Sequence, residues 1–383
     1  MELKEYRFDE VTINFDKKRV PLSGAQREKR QGNFRYYGAQ GVIDHIDDFI
    51  FDGTYLLIAE DGENLKSKKQ NIAQVVEGQF WVNNHAHIVQ GNELCNTRYL
   101  CYLLNSMDLS GYVTGSAQPK LSQANLNAVT LFLPSITVQE RIVECLYLFD
   151  KKIAVNQKIN DNLQQQAAAI FRSWFVDYVP FGGTAPDGWE NVTLEDITAL
   201  VSRGITPKYA DDTDQIVINQ KCIRNHMIDL SFARSHRPKV INDKWLRFGD
   251  LLINSTGDGT LGRAAQVWFQ PHNLTVDSHV TIVRPAAENM IFYIGLWGTQ
   301  HEKEIESLHT GSTGQTELPR DRVKALELLL PDKETLDRIN ALIAPMAGAI
   351  VLNQEENNRL ASIRDALLPK LMSGEIDVSD VKL

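Results

Sequence analysis

Cysteine is scarce. The 383 residues hold four, Cys95, Cys101, Cys145 and Cys222, with no Cys-x-x-Cys pair. That usage argues against a disulfide framework or a structural zinc site and fits a reducing, cytoplasmic setting. The sequons Asn191-Val-Thr and Asn273-Leu-Thr then read as chance matches. No apolar run reads as a bilayer span, and the N-terminus MELKEYRFDE does not read as a signal peptide. Catalytic signatures are missing too: no nucleophile elbow, no Walker A loop, no His-Glu-x-x-His and no Asn-Pro-Pro-Tyr-like tetrapeptide. Nothing points to chemistry performed by this chain alone. Basic residues are the minority, 40 against 49 acidic, for a net charge of −9. That disfavours a nucleic-acid binder unless the basic residues gather on one face.

What is present is a repeat. The stretch from Pro134 to Asp177 returns from Pro331 onward. A shift of 197 positions sets Arg141 on Arg338, Ile142 on Ile339, Asn156 on Asn353, Gln157 on Gln354 and Asn160 on Asn357. Two similar units in tandem are expected. Each copy carries an apolar seam spaced alternately four and three. The first runs Ile142, Leu146, Phe149, Ile153, Asn156, Asn160, Leu163, Ala167, Ile170, Trp174. The second runs Ile339, Ile343, Met346, Ile350, Asn353, Asn357, Leu360, Arg364, Leu367, Leu371. A sustained period of 3.5 residues predicts a coiled coil, and about 40 residues give a rod of roughly 60 Å. Ser135 and Asp332 are placed to cap the helix starts. Pro345 should kink the second helix or delay its start. If the helices pair antiparallel about a pseudo-two-fold, Asn156 meets Asn357 and Asn160 meets Asn353.

The chain divides into five segments. Residues 1–133 form a first globular unit, with strands expected at Tyr55–Ala59, Phe80–Val82 and His87–Val89 and a helix over Thr97–Ser106. Residues 134–178 are the first long helix, and 179–188 a Pro/Gly linker. Residues 189–330 form the second unit, and 331–383 the second long helix. The second unit echoes the first at Gly249-Asp-Leu-Leu-Ile with Gly53-Thr-Tyr-Leu-Leu-Ile, Val276-Asp-Ser-His with Val82-Asn-Asn-His, and Thr310-Gly-Ser with Thr114-Gly-Ser. Between these anchors the units differ strongly. The framework is shared and the loops are not.

Two local motifs carry less. Gly257-Asp-Gly-Thr-Leu-Gly262 fits a dinucleotide fingerprint, but the next residues, Arg263-Ala-Ala-Gln-Val-Trp-Phe, read as a strand, so a glycine-rich turn is the better reading. His85 and His87 could reach a metal from one strand face. Only His85 has a counterpart, His279, and no further ligands sit at a suggestive spacing, so hydrogen-bonded histidines are expected.

Basic residues do cluster. One window holds Lys17, Lys18, Arg19, Arg27, Lys29, Arg30 and Arg35, followed by Tyr36 and Tyr37. The other holds Lys221, Arg224, Arg234, Arg237, Lys239, Lys244 and Arg247. Such a run is often only a solvated face. Two of them, each preceding the matched Gly-x-Leu-Leu-Ile strand of its unit, make these residues candidate phosphate contacts.

Across essentially its whole length the chain resembles the specificity subunit of Type I restriction–modification systems. The residues that carry the resemblance are Leu133-Pro-Ser-Ile-Thr-Val-Gln-Glu-Arg-Ile-Val, Phe171-Arg-Ser-Trp-Phe-Val-Asp, Pro186-Asp-Gly-Trp-Glu and Leu367-Leu-Pro-Lys-Leu-Met-Ser-Gly-Glu-Ile, in that order around the repeat. The resemblance implies an α+β fold: two target-recognition domains separated by two long helices in an antiparallel coiled coil. It implies a non-catalytic reader of a bipartite duplex DNA target, bound to two modification subunits and joined by restriction subunits. S-adenosylmethionine, ATP and magnesium would belong to those partners, with none held by this chain. Two rival classes are a lone DNA methyltransferase and a coiled-coil scaffold that binds only protein.

Overall fold

The computed structural model describes residues 2–67, 70–115, 118–211, 213–237, 239–257, 259–311 and 316–378. Ser116, Asp258 and Ser312 of the motifs quoted above, and the end of the last segment, lie outside the described residues. The fold is mixed α and β, with two long helices, Ile136–Phe175 and Lys333–Ser373. The chain divides into two compact units, and the division runs through both helices. One unit takes residues 1–153 and 359–383, the other 154–358.

The first unit is built on a six-stranded sheet. Its order is Thr12–Asn14, Ala86–Gly91, Phe51–Ala59, Ala73–Val82, Gln31–Gly38, Gly41–Ile46. All neighbours are antiparallel except Gln31–Gly38 with Ala73–Val82. Strand Lys4–Arg7 pairs separately with Thr130–Leu133, the strand that leads into the first helix. Helix Thr97–Ser106 is capped by Asn96, whose side chain accepts from Arg98 N and Tyr99 N. It buries Tyr99, Leu100, Leu103 and Leu104 in a core that also takes Ile142 and Leu146 of the first long helix and Leu371 of the second. Arg364 donates to Asp150 at 2.6 Å, and the tail returns so that Val378 O accepts from Arg141. As the first helix ascends the second descends, so the two run antiparallel here.

The second unit repeats the strand order with a break. Four strands run Thr198–Arg203, Val280–Pro285, Leu251–Asn254, Ala264–Gln266, matching the first four of the other sheet. Strand Leu274–Val276 lies parallel to Ile216–Ile218, which pairs antiparallel with Arg234–Ser235. In the first unit the equivalent strands join one sheet through the long strand Ala73–Val82. Here that strand is split in two by residues 267–273. Glu190–Thr193 pairs with Glu327–Leu330, again the strand before a long helix. The core packs Ala167 and Phe171 of the first helix with Ile339, Ile343, Ala347 and Ile350 of the second.

Every seam residue of both helices is buried or half-buried. In the second unit the asparagines meet across the coil. Asn156 Nδ2 donates to Asn357 Oδ1 at 2.9 Å and to Glu356 at 2.7 Å, and Asn353 Nδ2 donates to Asn160 Oδ1 at 2.8 Å. Asp332 caps the second helix through its carboxylate, which accepts from Thr335 N at 2.8 Å. Ser135 takes part through its carbonyl, which accepts from Val138 N and Gln139 N at 3.0 Å each.

Two expectations need correction. Pro345 does not delay the second helix, which starts at Lys333 and runs through it. Pro345 and Ala341, whose carbonyl loses its helical donor, both lie on the exposed face, where that carbonyl is open to water. The helix also contains an 18-residue window with mean hydropathy 1.3, apolar enough by composition to span a bilayer. The same helix spends Ile339, Ile343, Ala347 and Ile350 on the core of the second unit.

Candidate nucleic-acid interface

In the first unit the strand Gln31–Gly38 lies inside the sheet, and its side chains alternate between faces. Tyr36 packs with Ile46 and Trp81, and its hydroxyl accepts from Leu22 N at 2.8 Å. Tyr37 packs edge-on against Phe80. Their exposures are 0% and 5%, so both tyrosines leave the candidate set: they are core residues.

The arginines of this window are largely committed. Arg19 donates to Ala86 O at 2.7 Å and pairs with Glu60 at 3.1 Å and Asp16 at 3.2 Å. Arg27 pairs with Asp44 at 2.8 Å, donates to Leu22 O and lies over the Tyr36 ring. Arg30 pairs with Asp47 and Asp48 and lies over Trp81. Arg35 donates to Glu77 O at 2.6 Å and lies over Tyr37. A guanidinium already neutralised and stacked gains little by moving to a phosphate. Lys17, Lys18 and Lys29 are exposed, with no ion-pair partner among the described residues; Lys18 lies over Phe15.

The second window has the opposite character. Lys221, Arg224, Arg234, Arg237, Lys239 and Arg247 are all exposed, and none forms an ion pair among the described residues. Arg234 lies over the Tyr209 ring at 3.6 Å and Arg224 over Phe232 at 4.7 Å. Stacking holds a cation in place while leaving its donors free. A bridge between Tyr209 and His236 runs two segments side by side, and Arg237 N donates to Lys208 O at 2.8 Å. Lys208, exposed beside this group, stands outside both sequence windows. Val240 is 77% exposed among these cations and offers an apolar contact of the kind a thymine methyl accepts.

A buried ion pair fixes the end of this window. Arg284 binds Asp250 through two bonds of 2.7 and 2.8 Å and also donates to the carbonyls of Asp243 and Trp245. Lys244 is drawn in, its ammonium bonded to Gly204 O, while Arg247 stays exposed. Strand order shows that the windows are not equivalent. Tyr37 pairs with Val82 as Ile218 pairs with Val276. The first window therefore leads into its strand, and the second comes after the matching one.

The remaining motifs resolve as structure. Leu261 N turns back to bond Gly257 O at 3.0 Å, and strand Ala264–Gln266 comes next. Gly262 has φ +82°, and a Cβ there would meet Glu306 at 2.8 Å. No helix start faces a phosphate at this point. His87 is buried between Asp16 at 2.6 Å and Leu121 O at 2.8 Å. Burial of Asp16 raises its pKa, but the His87 bond and the Ile88 N–H outweigh it and hold the carboxyl below the usual range. Burial pushes the Cys95 and Cys101 thiols up to about 12 and Cys222 to about 11, far from thiolate chemistry. No group of three or more metal-ligating side chains occurs among the described residues.

Residues 2–165 match the family model described as Type I restriction modification DNA specificity domain. A putative type I restriction enzyme specificity subunit from Haemophilus influenzae is 25% identical over 88% of this chain and 85% of its own. The MjaIX specificity subunit of Methanocaldococcus jannaschii is 26% identical over 74% of this chain and 70% of its own. The crystal structure of a type I S subunit from M. genitalium shares the fold, with TM-score 0.55 at 13% identity over 97% of this chain and 96% of that one. The duplicated body, the paired helices and these likenesses converge: residues 2–165 match a type I restriction modification DNA specificity domain, and the chain is similar over most of its length to specificity subunits of type I restriction enzymes.

Proposed function

We propose that this chain is the non-catalytic DNA-reading subunit of a type I restriction–modification complex. Residues 1–133 and 189–330 act as target-recognition domains, each reading one half of a bipartite duplex. The helices of 134–178 and 331–383 set the half-site separation and bind two modification subunits, which restriction subunits then join. Exposed apolar side chains on those helices suit such docking: Leu148 at 54%, Leu352 at 66%, and Val155, Ile159, Leu342 and Ile363 above 40%. S-adenosylmethionine, ATP and magnesium belong to the partner subunits, and the assembly works in the cytoplasm. The observation that carries this reading is duplication with divergence. Two bodies keep one strand order and differ in the surface that cations present. A shared scaffold with unlike surfaces is what two unlike half-sites require.

The test is retention on duplex DNA together with methyl transfer. The chain with its modification subunits should hold DNA at low salt and release it as salt rises. The chain alone, given labelled S-adenosylmethionine, should transfer nothing. Transfer by the chain alone would make it a methyltransferase, and no retention at any salt would leave a protein scaffold.

A further inference from the structure

Two units that read different sequences need different surfaces, so a surface group they share serves something else. His85 and His279 are such a group. Their surroundings correspond bond for bond. His85 O accepts from Glu60 N at 2.9 Å, as His279 O does from Ser255 N at 2.8 Å. Glu60 O accepts from Leu121 N, as Ser255 O does from Leu318 N, both at 2.8 Å. The histidine N–H groups donate to Asn83 Oδ1 at 2.8 Å and Asp277 Oδ1 at 2.9 Å. Both rings are exposed, the His85 side chain by 54%. Each is held through Nδ1, by Asp61 in one unit and Thr256 in the other, both at 2.7 Å.

Packing does not account for the shared imidazole. Two residues further on, the buried position is His87 in one unit and Thr281 in the other. His87 bonds Asp16, whereas Thr281 bonds the Ser255 hydroxyl at 2.6 Å. The core position differs in chemistry while the exposed one is the same. Nε2 of neither ring forms a hydrogen bond among the described residues, so each ring keeps one site for a ligand. The surroundings are polar. Lys120, 54% exposed, pairs its ammonium with Glu60 and its backbone with Asp61 in a β-bridge, and the β-bridge partner of Thr256 is Glu317, which pairs with Arg203. None of the large exposed apolar side chains falls on these segments.

We propose that His85 and His279 are equivalent, sequence-independent contacts to DNA phosphates, one in each unit, donating through Nε2. The inference rests on the chain being a DNA reader. Two half-sites differ in their bases and have the sugar-phosphate backbone in common. Asp61 accepts from Nδ1 of His85, so Nε2 of that ring donates when the ring carries both protons. The Thr256 hydroxyl can donate to Nδ1 of His279, which leaves the proton on Nε2 of a neutral ring.

The experiment measures binding of the assembled complex to duplexes with and without its target, by fluorescence anisotropy, for His85→Ala, His279→Ala and the double variant. Each single change should weaken both duplexes equally, by roughly three- to tenfold, with the double near the product. The methylated sequence should not change, and His85→Lys, which restores a donor, should keep binding. Unchanged affinity on both duplexes overturns the proposal. Loss confined to the target duplex overturns it in favour of base reading, and loss of the modification subunits in favour of a protein contact. A lowered thermal midpoint in the alanine variants, with binding lost in His85→Lys as well, overturns it in favour of a structural role. If the unaltered complex holds no DNA, the proposed function fails and this inference falls with it.

Discussion

Changing Asn353 to leucine removes the donor that Asn160 Oδ1 accepts at 2.8 Å. Asn160 is 7% exposed, so its oxygen is left without a partner where water hardly reaches. An orphaned buried acceptor costs about 1–3 kcal/mol. The reverse change, Asn160→Leu, leaves Asn353 stranded, but Asn353 is half-buried and can turn to water. That variant should lose about 1 kcal/mol or less. Changing both removes donor and acceptor together and puts leucine on a seam that favours it, so the double variant should return close to the unaltered protein or exceed it. The two singles are therefore non-additive, with a coupling of about 1–3 kcal/mol. Five of the six tryptophans, Trp174, Trp189, Trp245, Trp268 and Trp297, lie in the second unit, so urea unfolding followed by their fluorescence reports on the unit that contains the pair. Additive singles, or Asn160→Leu costing more than Asn353→Leu, would refute the reasoning.

Neutralising Arg234 and Arg237 together should weaken binding alike on all sequences. The salt dependence should flatten by about 0.9 for each phosphate no longer neutralised, up to about two in all. An unchanged slope in a salt titration would make that window a solvated face. The same treatment of Arg27 and Arg30 should cost folding stability more than binding, because both are paired with carboxylates and stacked on rings. Inserting one heptad near Gln165 keeps the seam in phase and lengthens the first helix by about 10 Å. Methylome sequencing should show both original half-sequences with the gap longer by about one to three base pairs at 3.4 Å each. An active variant with its gap unchanged would show that the spacing is set elsewhere.

The long helices were legible because a 3.5-residue period is a local property, carried by residues such as Ile142, Leu146, Ile343 and Ile350 and by the antiparallel arithmetic that sets Asn156 against Asn357. Pro345 misled because the rule against interior proline assumes a carbonyl that cannot find water, and Ala341 faces solvent. The common sheet order was hidden in the sequence. Ala73–Val82 is one strand, and its counterpart is two, Ala264–Gln266 and Leu274–Val276, recognisable only through their neighbours. The basic windows were half legible. Charge can be counted along a chain, but the acids that neutralise it arrive from elsewhere: Glu60 lies 41 residues from Arg19. Nothing in the local pattern separates Arg27, held by Asp44, from the exposed Arg234. Tyr36 and Tyr37 look like ligand-stacking rings until the sheet places them inside.

The central claim is that each unit reads its own half of the target, and exchange of one unit tests it most directly. Residues 1–133 would be replaced by the corresponding segment of another specificity subunit of known target, and the methylated sequence in the host read by methylome sequencing. The account predicts that one half of the target changes to that of the donor while the other half and the gap stay. A change in both halves at once, or in neither while methylation persists, would contradict it.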